Sequence, residues 1–248
     1  MPDHKIKRAV GLGLIFIKEQ AKEPTAFFWT ILSPAVLFYL LNYSRGNTPP
    51  YNTDYIAATS WFYAYISSSV AFFGFSFYII GRRESGFIRS FIYKFESRVV
   101  FLLGQFFAYS LISILYCATF YCLTRPAFGS LFIEEILFIS GRFYLCFLLF
   151  SIPGLLLTLP PITFQNANTL FSIAAFSMLI LGIYGASSSL SGISSIIRCI
   201  NPLAMANDIL LQGAIDNKVL TFTIIIVFIG TLLSTLRLLR INPVWSRY

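Results

Sequence analysis

Residues 26–43 read AFFWTILSPAVLFYLLNY, a run of the length that carries an α-helix across a bilayer, with no charged side chain in it. Working outward, five further stretches have the same character: Tyr55–Ile80, Val99–Leu123, Arg142–Leu159, Ala167–Leu190 and Val219–Leu236. The chain has 248 residues, 57% hydrophobic and 11% charged. A water-soluble domain carries about a quarter charged residues, so lipid must be the solvent for most of this exterior. The expected fold is all-α, with six transmembrane helices in a single domain. Residues 1–25 form a preceding amphipathic helix, 26–240 the membrane domain and 241–248 a tail. Pro34 and Pro153 lie inside spans and predict kinks, and Pro160-Pro161 marks the turn between the fourth and fifth spans. The first apolar run starts too far in for a cleaved signal peptide, so none is expected.

The net charge of +8 would suggest nucleic acid in a soluble protein. In a membrane protein it marks cytoplasmic loops, and no nucleic-acid partner is expected. Lys5, Lys7, Arg8, Lys18 and Lys22 precede the first span. Arg82, Arg83, Arg89, Lys94 and Arg98 follow the second, and Arg237, Arg240 and Arg247 follow the last. Those thirteen stand against Arg45, Arg125, Arg142, Arg198 and Lys218 on the other side, which predicts both termini in the cytoplasm. Arg142 is expected to snorkel at the outer end of the fourth span.

Two cytoplasmic segments read as helices that do not span. In Lys5–Lys22, the residues Ile6, Val10, Leu14 and Ile17 share a stripe, as expected of a helix lying on the membrane. In Gly86–Ser97, a tighter stripe of Phe87, Ile88, Phe91, Ile92 and Phe95 suits either a second surface helix or a docking element for a cytoplasmic partner.

Intramembrane catalysis has no material here. The single histidine is His4, outside every span, and no span centre carries Asp or Glu. That excludes a metalloprotease, a Ser–His dyad and an aspartyl dyad within the bilayer, and it argues against proton- or sodium-coupled transport. Cys117, Cys122, Cys146 and Cys199 form no CxxC pair and read as small buried hydrophobes. There is no GxxxxGK[ST] stretch, so no P-loop. No catalytic residue, metal or bound cofactor is expected.

The order of pieces resembles a known family. A basic amphipathic helix leads into Lys22-Glu23-Pro24, the first span follows, and Gly81-Arg82-Arg83-Glu84-Ser85-Gly86-Phe87-Ile88 closes the second. Asn201-Pro202-Leu203-Ala204-Met205-Ala206 comes late. This is similar to the membrane permease of an ABC-2 type ATP-binding-cassette transporter, in the branch that exports drugs, antibiotics or peptides. Where many members carry a Pro after the Arg-Glu-x-Gly element, this chain has Lys94-Phe95-Glu96-Ser97.

The resemblance implies a homodimer in the bacterial inner membrane, bound to two ATPase subunits that hold the ATP and Mg. It implies an N-terminal elbow helix and a coupling helix between the second and third spans, carrying Arg83, Glu84, Gly86, Phe87, Ile88, Phe91, Ile92 and Phe95. It also implies short outer helices within Ser187–Lys218. The candidate pathway lies on the first two spans, at Tyr39, Asn42, Trp61, Tyr65, Ser68 and Phe72, within a wider set that includes Tyr43, Tyr63, Ser67, Ser69 and Phe73. Small residues Gly182/Ala186 and Gly185/Ser189 permit close helix approach. The competing readings are an exporter of lipid-linked polysaccharide and a non-transport immunity or assembly protein in the membrane.

Overall fold

The computed structural model describes residues 2–92, 94–187, 200–212, 218–240 and 242–244. Its long elements are α1 (Pro2–Ala21), α2 (Pro24–Ser44), α3 (Tyr55–Glu84), α5 (Phe95–Thr124), α6 (Ile133–Thr158), α7 (Phe164–Ser187) and α9 (Lys218–Leu238). Two short α-helices accompany them among the described residues, α4 (Phe87–Phe91) and α8 (Pro202–Gln212). Among the described residues there is no strand, and six helices are long and apolar enough to cross a membrane, as a multi-pass membrane protein requires. The outer-face segment expected in Ser187–Lys218 is described only at its edges and as α8. Cys199, Arg198, Ser188 and Ser189, and the side chains of Gly185 and Ala186, lie outside the described residues.

α3 is the hub. Its apolar window is 67% buried, against 22% for α2 and α9 and 11% for α7. Its outward turns at one end are tied by hydroxyls: Tyr55 Oη lies 2.7 Å from Tyr63 Oη and 2.8 Å from Thr124 Oγ1. Rings of Phe38, Tyr51, Tyr55 and Phe128 meet edge to face around that knot. Tyr63 is therefore core rather than pathway. At the same end Arg125 and Tyr121 both reach Glu135 Oε2, at 2.7 Å.

The fourth span starts earlier than the sequence suggests, at Ile133 instead of Arg142. Glu134 and Glu135 break the apolar window, yet they sit in the first helical turn, where carboxylates suit the helix dipole. Arg142 consequently lies nine residues in, about 13 Å along the axis. It does not simply snorkel. Its guanidinium donates to the carbonyls of Leu210 (2.5 Å) and Leu211 (3.3 Å), the last turn of α8, and lies 3.9 Å over the Phe138 ring. α6 runs unbroken through Pro153. In α2, Pro34 follows a wide π-helical segment, Phe28–Leu32, which relieves the clash with the preceding turn.

α1 is held to the first half of α5, in parallel register. Lys5 Nζ pairs with Glu96 (2.7 Å), Gly13 meets Gly104, Phe16 meets Phe101 edge-on, and Tyr109 Oη donates to Gln20 Oε1 (2.9 Å). The packed face is Ala9, Gly13 and Phe16; of the expected stripe Ile17 packs against the core and Val10 is half-buried, while Ile6 and Leu14 point away from the protein. Small side chains let the backbones approach: a Cβ on Gly104 would stand 2.9 Å from the Ala9 carbonyl. On the other side Ile6, Leu14 and Ile15 are exposed.

Candidate functional site

Two regions carry the sequence-derived candidates, one at the basic end of the bundle and one along α2 and α3.

At the basic end, consecutive arginines close α3. Neighbouring helix positions point about 100° apart, so they reach different partners. Arg82 pairs with Glu19 of α1 and stacks its guanidinium over Phe16 (5.4 Å) and Phe87 (5.1 Å). Arg83 is 1% exposed and turns inward. It donates to the carbonyls of Thr158 (2.8 Å), Pro160 (3.1 Å) and Ile162, and its Nε lies 3.1 Å from Glu84 Oε1. The carbonyls at the end of α6 have no helical partner, and Pro161 has no N–H to give. Arg83 therefore satisfies the Pro160-Pro161 turn. Glu84 also accepts the backbone N–H of Val244 at 3.2 Å, bringing the C-terminal segment to the same point. Tyr78 Oη donates to Glu23 Oε2 (2.7 Å), which accounts for the Glu of Lys22-Glu23-Pro24.

Beyond Glu84 the stripe does not form one helix. Gly86 has φ +76°, a left-handed cap that only glycine adopts without strain. α4 ends at Phe91, Ile92 leaves helical geometry (φ −124°), and Phe95 opens α5. Ile88 and Ile92 are buried inward and Phe87 is half-buried against Phe101 and Arg82. Phe91 and Phe95 are the exposed rings, at 69% and 57%. Arg83 and Glu84 are thus internal ties, and the surface available for docking is Phe91 and Phe95 with Arg89 and Lys94 beside them.

Along α2 and α3 lies an apolar cleft of about 790 Å³, closed on its far side by α7 and α8. Of the six pathway candidates, Trp61 and Tyr65 line it. Ser68 and Phe72 do not; Ser68 bonds the Tyr65 carbonyl (2.8 Å), and Phe72 stacks on Phe171 at 5.5 Å, both in the core. Tyr39 donates to the Leu123 carbonyl (2.7 Å) and Asn42 to the Phe38 carbonyl (2.9 Å), on another face of α2. The α3 residues Trp61, Tyr65, Ser69 and Phe73, which border the open spaces, recur every four positions. Ser69 and Phe73 border a smaller cavity of about 210 Å³ with polar groups from Gln20, Thr30, Tyr109 and Tyr116. Tyr65 belongs to both spaces. Gly182 is what admits Trp61: a Cβ there would lie 2.9 Å from the indole ring. Asn201, ahead of Pro202, caps α8 through Leu203 N (3.0 Å) and donates to the Met178 carbonyl (2.8 Å), joining α8 to α7 at the end of the cleft.

No family model matches the chain. Across 238 residues it is 31% identical to Protein McbE of Escherichia coli, an alignment covering 95% of this chain and 97% of that protein. With that identity along nearly the full length of both, the chain belongs to the family of Protein McbE.

Proposed function

We propose that this chain is the non-catalytic permease subunit of an ATP-driven exporter of ABC-2 type, moving a drug, an antibiotic or a bacteriocin-like peptide out of the cell. It works as a homodimer in the bacterial inner membrane with both termini in the cytoplasm, and two copies of a separate ATPase subunit hold the ATP and Mg. The observation that carries the reading is the fork at Arg82 and Arg83. The exposed α4 loop leaves directly from a point bonded to α1 on one side and to the α6–α7 turn on the other. A push on Phe91 and Phe95 would be delivered to three helices at once, which is the requirement on a coupling element. α1 then serves as the elbow helix. The face Trp61, Tyr65, Ser69 and Phe73 offers rings and hydroxyls to an amphipathic cargo. An exporter of lipid-linked polysaccharide would use the same rings for sugar stacking.

A second reading, a membrane immunity or assembly protein that binds a partner in the bilayer, is favoured by one observation. The apolar window of α7 is only 11% buried, leaving a wide face for a partner helix. Purification in mild detergent separates the two. A permease brings down a P-loop ATPase and loses it on Phe91→Asp, which places a charge in an apolar contact. Truncating a central aromatic anchor costs about 2 kcal/mol or more, roughly thirty-fold in affinity, so Phe91→Ala should weaken the complex by that factor. A chain that protects cells with no ATPase bound, and with Phe91→Asp intact, is the immunity protein.

A further inference from the structure

The cleft along α2 has a polarity that neither reading above uses. It extends from Ser33 to Arg45, twelve residues of helix or about 18 Å. One leaflet of hydrocarbon is about 15 Å deep, half of the bilayer core. Leu37 and Leu41 form one wall, Leu179 of α7 the other, and Trp61 the floor. No Asp or Glu lines it, and its single charge is Arg45, at the end where α2 stops. Among the described residues, Arg45 has no carboxylate within ion-pair distance. The end with Arg45 is the end tied by Tyr51, Tyr55 and Thr124, and it is where the apolar span Pro24–Ser44 stops.

From this geometry we propose that the cleft is a binding site for one acyl chain of an anionic phospholipid, its headgroup against the Arg45 guanidinium. The length fits one leaflet, the walls fit a chain, and a guanidinium at the mouth prefers a phosphate with net negative charge. A second copy of the protein would match Leu37 and Leu41 but would leave Arg45 needing an acidic partner. This proposal does not depend on transport: a chain that exports nothing can still hold the lipid.

Trp61 on the floor is the reporter. Of the three tryptophans, Trp29 and Trp245 are replaced by Phe, leaving Trp61 as the sole tryptophan, excited selectively over the tyrosines. The protein is placed in nanodiscs containing a fixed fraction of lipid brominated on its chains, either phosphatidylglycerol or phosphatidylethanolamine. The expected result is stronger quenching by the anionic lipid, a preference of roughly five-fold, the equivalent of about 1 kcal/mol for a basic side chain at an anionic headgroup. Arg45→Gln abolishes the preference, Arg45→Lys keeps part of it, and Arg237→Gln at the opposite end leaves it unchanged. Equal quenching by the two lipids, or a preference that survives Arg45→Gln, overturns the proposal. So does an absence of quenching by either, which would show that protein covers the cleft.

Discussion

Arg83→Met removes the guanidinium while keeping the length of the side chain. The carbonyls of Thr158, Pro160 and Ile162 lose the arginine at once, although Pro160 keeps the Ile162 N–H at 2.9 Å, and Glu84 loses a cationic neighbour. Breaking a buried ion pair by deleting one partner costs about 3–5 kcal/mol. Each carbonyl left buried and unpaired would add about 1–3 kcal/mol. The total is smaller than the sum, because the turn lies at the end of the bundle and water can enter once the side chain is gone. Glu84 also keeps the Val244 N–H. The expected loss is about 3 kcal/mol, more than a hundred-fold in the folding equilibrium. Titration with a denaturing detergent in mixed micelles, followed by circular dichroism, reads it directly. Arg83→Lys should recover about half, since one ammonium cannot reproduce the planar fork that serves three acceptors. A change within about 0.5 kcal/mol for Arg83→Met, the range of an ordinary surface substitution, would refute the claim that this arginine holds the turn.

Three further outcomes follow from the packing. Gly104→Leu should pry α1 from α5, at a cost of about 1–3 kcal/mol for overpacking, and should abolish a disulfide engineered between positions 5 and 96. Phe91→Ala should shift the same unfolding midpoint by less than about 0.5 kcal/mol, because the ring is 69% exposed in the isolated chain; a larger loss would make Phe91 a core residue. Arg142→Met should expose the end of α8, seen as faster hydrogen exchange at residues 202–212, with α5 unaffected.

The six spans were readable because composition and length suffice for that decision. What composition misses is partner choice. Ile6, Val10, Leu14 and Ile17 stood out as a stripe, but the closest approach to α5 is made by Ala9 and Gly13, whose small size hides them from any hydrophobicity pattern. The Phe87–Phe95 periodicity was real in sequence and broken in space, since Ile92 leaves the helix and Phe95 belongs to the next one. Arg83 and Glu84 were legible as special but read as outward-facing; the acceptors of Arg83 are carbonyls of a Pro-Pro turn some 75 residues away, and no side-chain pattern announces a backbone acceptor. On α3 the candidates Trp61 and Tyr65 border the cleft, whereas Ser68 and Phe72 are buried and their neighbours Ser69 and Phe73 border the smaller cavity.

α3 widens into π-helix over Val70–Ser76, and α2 does so over Phe28–Leu32; both stretches border the smaller cavity. A regular α-helix fixes the compass bearing of every side chain relative to every other, and one residue more or less turns all that follow by about 100°. The wide turn sits between Trp61, which must face the cleft, and Arg82 and Arg83, which must face α1 and the α6–α7 turn. It acts as an angular coupling between two surfaces that would otherwise be out of alignment. Deleting a single residue within Val70–Ser76 would shorten the span by only about 1.5 Å, yet it would swing both arginines off their partners while Trp61 stayed in place. In this helix a change that is neutral in hydropathy can still be large in rotation.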